Sequence, residues 1–146
     1  MAFSMIAACS KQEKPADQPA AAAPPPPPPP PALTNADLAG TWDATGMPMD
    51  KDTVVVTLTM TNTPTGEGSY TMVGGQKVPA TSRVLEGDSI VTQSAGFKSA
   101  VRKGMNVSST RTVLRLRDGK LVGVISAKYA NGDTASYRLT GTKKAP

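Results

Sequence analysis

Few side chains in this 146-residue chain are equipped for chemistry, and the types that are missing narrow the choice most. There is no histidine, so neither a serine–histidine nor a cysteine–histidine relay can form. The single cysteine, Cys9, leaves no route to an intrachain disulfide or a thiolate metal cluster. Serine with lysine is a substitute nucleophile system, yet no Ser-x-x-Lys spacing occurs in the C-terminal domain. Asp50 and Asp52 fall on one side of an early turn, but Asp50-Lys51-Asp52 lacks the further oxygen ligands that a calcium loop supplies. Gly74-Gly75-Gln76-Lys77 has no strand-loop-helix setting in which to cradle a phosphate. Single-stranded nucleic acid needs aromatic platforms among the bases. The basic half of the chain offers Tyr129 and Tyr137, both predicted to point inward. These residues describe a protein that is not an enzyme, holds no metal or cofactor and does not bind nucleic acid.

The cysteine has a context of its own. Ile6-Ala7-Ala8-Cys9 closes a short apolar run, and an Ala- and Pro-rich stretch follows, with unbroken proline from Pro24 to Pro31. This resembles the start of a bacterial lipoprotein: a lipobox, a lipid-bearing cysteine and a tether. The resemblance implies that Cys9 becomes the acylated first residue, since small side chains before it fit a signal peptidase. Each buried methylene then contributes about 0.8 kcal/mol to anchoring, and several chains hold where one does not. Ser10, rather than Asp, implies passage to the outer membrane by the sorting rule of enteric-type bacteria. The predicted organisation is a signal-peptide remnant over 1–9, a disordered tether over 10–32 and one folded domain over 33–146. The tether has no aromatic or β-branched residue after Ser10, so burial cannot offset the entropy of ordering it. Its proline run predicts polyproline II at about 3.1 Å per residue.

From Thr34 the texture changes. Thr34-Asn35-Ala36-Asp37 predicts a short capped helical turn, with Asp37 reaching back to Thr34. After it, period-two alternation takes over: Val54, Val56, Leu58 and Met60 oppose Thr57, Thr59 and Thr61, and later strands repeat the pattern. The predicted strands are 41–48, 53–62, 68–73, 80–86, 89–95, 106–117, 120–130 and 134–143. Lys98 to Gly104 alternates too little to assign, as either a loop at a mouth or a bulged start to the next strand. Asp118-Gly119 and Asn131-Gly132 predict type I′ hairpin turns. Consecutive hairpins make an all-β, up-and-down antiparallel meander, and about eight such strands close most readily as a barrel.

Gly40-Thr41-Trp42, after the helical turn, resembles the Gly-x-Trp opening of lipocalins and fatty-acid-binding proteins. The resemblance implies a lipocalin-like barrel in which Trp42 closes one end and stacks against an arginine late in the chain, here Arg138. It also implies a small apolar or amphipathic ligand, whose pocket wall would be Val56, Leu58, Met60, Tyr70, Met72, Leu114, Leu116, Ile125, Tyr137 and Leu139. The same residues describe a plain packed core equally well, and a void of several hundred cubic ångströms separates the two readings.

Charge supplies the other reading. From Leu33 to Phe97 three bases face seven acids; from Lys98 onward eleven bases face only Asp118 and Asp133. Lys98, Arg102, Lys103, Arg111, Arg115 and Arg117 form a candidate basic face for an envelope partner or an anionic surface. Alternation with apolar residues equally fits solvated outward positions on strands. The location implied by the N-terminus is the cell envelope, lipid-anchored to a membrane.

Overall fold

The computed structural model describes residues 21–29 and 33–146, with 81–86 as backbone. Cys9, the lipobox and most of the tether lie outside these residues. Residues 21–29 carry no secondary structure and are exposed.

The folded part begins with helix α1 (Asn35–Leu38), held by a capping box: the Asp37 carboxylate accepts from the Thr34 N–H at 2.8 Å, and the Thr34 hydroxyl accepts from the Asp37 N–H. A bond from the Thr34 hydroxyl at 2.6 Å first, and the one from its N–H second, hold the Asp37 carboxyl below the usual carboxylate range. Nine strands follow: β1 (Gly40–Pro48), β2 (Val56–Asn62), β3 (Gly68–Met72), β4 (Lys77–Glu86), β5 (Ser89–Ser94), β6 (Phe97–Lys98), β7 (Asn106–Arg117), β8 (Lys120–Tyr129) and β9 (Thr134–Lys143). Every strand pairs antiparallel with its sequence neighbour, except that β5 and β6 both pair with β7 and make one interrupted stave. The first strand pairs with the last, Ala44 opposite Gly141, and Ile90 of β5 lies opposite Leu114 of β7. The sheet therefore closes on itself as an eight-stave, up-and-down barrel, the predicted architecture.

Period-two alternation explains which residues fill it. Leu58 and Met60 of β2, Tyr70 and Met72 of β3, and Leu121 and Ile125 of β8 point inward and are buried, while their neighbours face water. At Gly123 a Cβ would lie 2.0 Å from the Val113 carbonyl oxygen, so the close approach of β8 to β7 there requires glycine.

Three local expectations change. Strand β2 starts at Val56; residues 51–55 form a connection whose last N–H, that of Val55, still bonds the Gly46 carbonyl. Strand β4 starts at Lys77, pairing with β3 as far as Pro79 and then, through an irregularity between Ala80 and Ser82, with β5. The turn at Asp118-Gly119 has both central residues at positive φ (50° and 73°), as a type I′ turn needs. The turn at Asn131-Gly132 does not: only Gly132 is left-handed, and Tyr129 N–H reaches Asp133 C=O at 2.8 Å. That is a three-residue loop with a glycine bulge. Asn131 prefers to bond Asp133, accepting from its N–H at 3.1 Å.

Candidate functional site

Antiparallel register divides the connections between two poles. At the helix pole lie α1, the 63–67 turn, the 87–88 and 118–119 turns and the end of β9. At the far pole lie the 49–55 connection, the 73–76 turn, the 99–105 loop and the 130–133 turn.

The helix pole is closed by Trp42. Its ring is buried, its Nε1–H donates to the Leu38 carbonyl at 2.9 Å, and the fully buried Leu38 packs in the same core cluster. The cation over the ring is Lys143, with Nζ 5.4 Å from the centroid, and this corrects the expected Arg138. Register explains the change: Trp42 pairs with Lys143, whereas Arg138 pairs with Met47, five positions further along β1. Arg138 also has outward parity between inward Tyr137 and Leu139. Its guanidinium does different work. It donates to the carbonyls of Lys51 (2.7 Å) and Pro48 (3.4 Å) and to the Asp52 carboxylate (2.7 Å), pinning the 49–55 connection.

The ten wall residues all point into the barrel and belong to or pack against one core cluster. Among the described residues, the spaces found inside are about 40 Å³ near the far pole, bordered by Val56, Leu58, Met72, Ile125 and Tyr137, and about 10 Å³ deeper, near Met60, Tyr70 and Leu114. One inner sector is polar in a way the alternation did not single out. Thr92, Ser94, Thr110 and Thr112 of β5 and β7 are buried; Ser94 and Thr110 bond at 2.6 Å, while the Thr112 hydroxyl has no partner. Tyr129 and Tyr137 bring their hydroxyls to 3.4 Å. Burial first, and that contact second, push the Tyr137 phenol up to about 12.

The far pole is capped by the 99–105 loop. Ser99 Oγ accepts from the N–H groups of Val101 (3.2 Å) and Arg102 (2.9 Å), which fold the loop on itself. Phe97 and Val101 pack on the core, and the Arg102 guanidinium lies 4.5 Å from the Tyr129 ring centroid. The unassigned stretch from Lys98 to Gly104 is thus mostly a loop across the barrel mouth. Between Ala100 on this cap and Val54–Thr57 and Val73 opposite runs an apolar groove of about 290 Å³.

The structure does not gather the six candidate bases on one face. Lys98, Arg102 and Lys103 sit at the far pole, whereas Arg111, Arg115 and Arg117 share the outer face of β7. Three of the six have carboxylate partners: Arg102 with Asp133 at 3.2 Å, and Arg115 and Arg117 both with Asp88. Arg117 first, then Arg115 and Ser89, hold the Asp88 carboxyl down at about 2. Arg111 has no carboxylate partner among the described residues. It lines a groove of about 320 Å³ on the outer wall, with Gln93, Ser109, Ser126, Thr134 and a second base, Lys128. Sequence reasoning missed Lys128 and Asp88. Strand parity places Lys128 on the outer face with Arg111, and the hairpin turns place Asp88 at the same pole as Arg117.

Comparison of the chain with protein-family models, with curated proteins and with solved structures finds no match. The fold stands on its own geometry, a closed antiparallel barrel consistent with a lipocalin-like fold.

Proposed function

We propose that this chain is a lipid-anchored protein of the bacterial cell envelope that acts without catalysis, as an interaction module docking on an anionic surface through its basic C-terminal half. The observation that carries the reading is the filled barrel. Small-molecule sites occupy roughly 300–1,000 Å³, and the larger interior space found among the described residues is about 40 Å³. Work then falls to the outer surface. The wall groove supports this, since Arg111 and Lys128 stand beside hydroxyl and amide groups with no carboxylate partner among the described residues. Fixed cations flanked by neutral donors suit phosphate or carboxylate groups. The lipobox-like Ile6-Ala7-Ala8-Cys9 and the Pro-rich spacer support the placement at a membrane, where a tether would raise the effective concentration of surface groups.

The test uses the full chain carrying Cys9→Ala, so that no acyl group contributes, mixed with envelope fractions. Association weakens as salt rises above about 0.15 M, where the Debye length is already near 8 Å, and weakens further in the Arg111→Gln/Lys128→Gln variant. Salt-independent association, or a stoichiometric apolar molecule found in the purified barrel by native mass spectrometry, would sink the reading and favour a carrier. Palmitate labelling that is lost in Cys9→Ala checks the anchor separately.

A further inference from the structure

Among the described residues, the exposed large hydrophobic side chains are Met49 (54%), Val54 (49%), Val55 (36%) and Val73 (75%), and all four belong to connections at the far pole. Apolar side chains left in water by chance scatter over a surface; confinement to one place marks a contact site. These are also held in place. Arg138 pins the 49–55 connection at Pro48, Lys51 and Asp52, and the Val55 N–H bonds the Gly46 carbonyl at 2.9 Å. The 73–76 turn is closed by Gly75 N–H to Met72 C=O at 3.0 Å. The Gln76 amide, oriented with its oxygen toward the N–H and its nitrogen toward the C=O of Lys98, pairs with both at 3.2 Å and ties this turn to the cap.

The charge around the patch is positive. Two of the pole's carboxylates, Asp52 and Asp133, are engaged by Arg138 and Arg102. Lys51, Lys77, Lys98 and Lys103 have no carboxylate partner among the described residues, against one unpaired acid at this pole, Asp50. The composition selects the occupant. Protein interfaces draw roughly 20–30 residues from each side. This patch offers three valines and a methionine, far fewer than that. A bilayer asks for no matching shape: it takes protruding aliphatic groups into its interface, while lysines around them meet anionic headgroups.

We propose that the far pole is a membrane-seating surface, in which Val54, Val55 and Val73 enter the interfacial layer of a bilayer and Lys98 and Lys103 contact its anionic headgroups. This goes beyond the wall groove, uses different residues, and does not depend on acylation.

The experiment is co-sedimentation of the full-length Cys9→Ala chain with phosphatidylcholine vesicles, with and without phosphatidylglycerol. The protein binds the phosphatidylglycerol vesicles, each basic group near the surface strengthening binding roughly fivefold. Val54→Asn/Val73→Asn weakens that binding roughly tenfold by removing apolar contact without adding charge. Lys98→Gln/Lys103→Gln weakens it on phosphatidylglycerol vesicles and leaves the weaker binding to pure phosphatidylcholine unchanged. Circular dichroism verifies that the variants keep the fold. No vesicle binding, or full binding by the valine variant, overturns the proposal. Loss of binding in Arg111→Gln/Lys128→Gln alone assigns the contact to the wall groove and also overturns it, while leaving the docking module standing. Self-association that Val73→Asn abolishes makes the patch an interface between copies, and the bilayer reading falls.

Discussion

The two poles of this barrel are built from the same hairpins and solve opposite problems. At the helix pole a capped turn lays Leu38 over the interior, Trp42 fills the opening, and its indole N–H is satisfied by the Leu38 carbonyl. The turns there carry Asp37, Glu67, Asp88 and Asp118, and no large hydrophobic side chain is exposed among the described residues. At the far pole a self-bonded loop covers the mouth less completely, a small void remains beneath it, and aliphatic side chains face outward among lysines. The tight closure lies with the tryptophan, and the exposed aliphatic surface lies at the other pole. Strand alternation already fixes the register, so the far pole can leave aliphatic side chains in water without loosening the barrel.

Substitutions can break or sharpen that contrast. The largest effect belongs to Trp42→Ala, which empties the helix pole and costs about 3–5 kcal/mol in denaturant unfolding; a cost below about 1 kcal/mol would show that the seal lies elsewhere. Next is Arg138→Ala, which removes three bonds from the 49–55 connection. It costs about 1–2 kcal/mol and, more tellingly, speeds limited proteolysis between Met49 and Val55; an unchanged cleavage rate would mean that the connection holds itself. Lys143→Met removes the cation over Trp42 and costs about 0.5–1 kcal/mol, whereas the same change at Lys103 leaves the melting temperature unaltered. Equal losses at the two sites would remove the distinction between the poles.

Asp88→Asn gives a smaller effect with a defined pH window. The folded state holds this carboxyl at about 2, below the ordinary aspartate value of about 3.9. The ionised form is therefore favoured by folding, and the stabilisation is present above about pH 4 and lost as the pH falls through about 2. Thermal melts of the parent and Asp88→Asn should differ at neutral pH and converge in strong acid; a constant gap at every pH would remove the ionised carboxylate from the explanation. Val73→Asn should change stability least, within about 0.5 kcal/mol, because the side chain already stands in water. A clear loss there would mean that the far pole also carries the fold.

Much of this architecture is legible in the amino-acid sequence. Alternation along Val56–Met60 and Thr112–Leu116 set which faces turn inward, and Asp118-Gly119 set a hairpin whose backbone obeys the type it prefers. Local pattern failed where a long-range bond decides. Val54 and Val55 read as strand residues, but they end a connection whose Lys51 and Asp52 bond an arginine more than eighty positions away. The partner of Trp42 is a matter of register between β1 and β9, which no single-strand pattern encodes. The inward residues were readable, but how tightly they pack was not, because the residual space depends on how eight staves curl together. The basic residues of the C-terminal half were visible as a count; their division between a pole and a wall, and the capture of two of them by Asp88, follow from pairing.

The Lys144 N–H bonds the Thr41 carbonyl at 2.8 Å, so the strands that open and finish the barrel run side by side and leave it together. A short peptide can bridge them, and the chain can be reopened at Gly74–Gly75, where added atoms meet nothing within 4 Å. The resulting circular permutant keeps every ladder of the parent except one turn, and hands a fused reporter or surface attachment to the opposite side of the molecule.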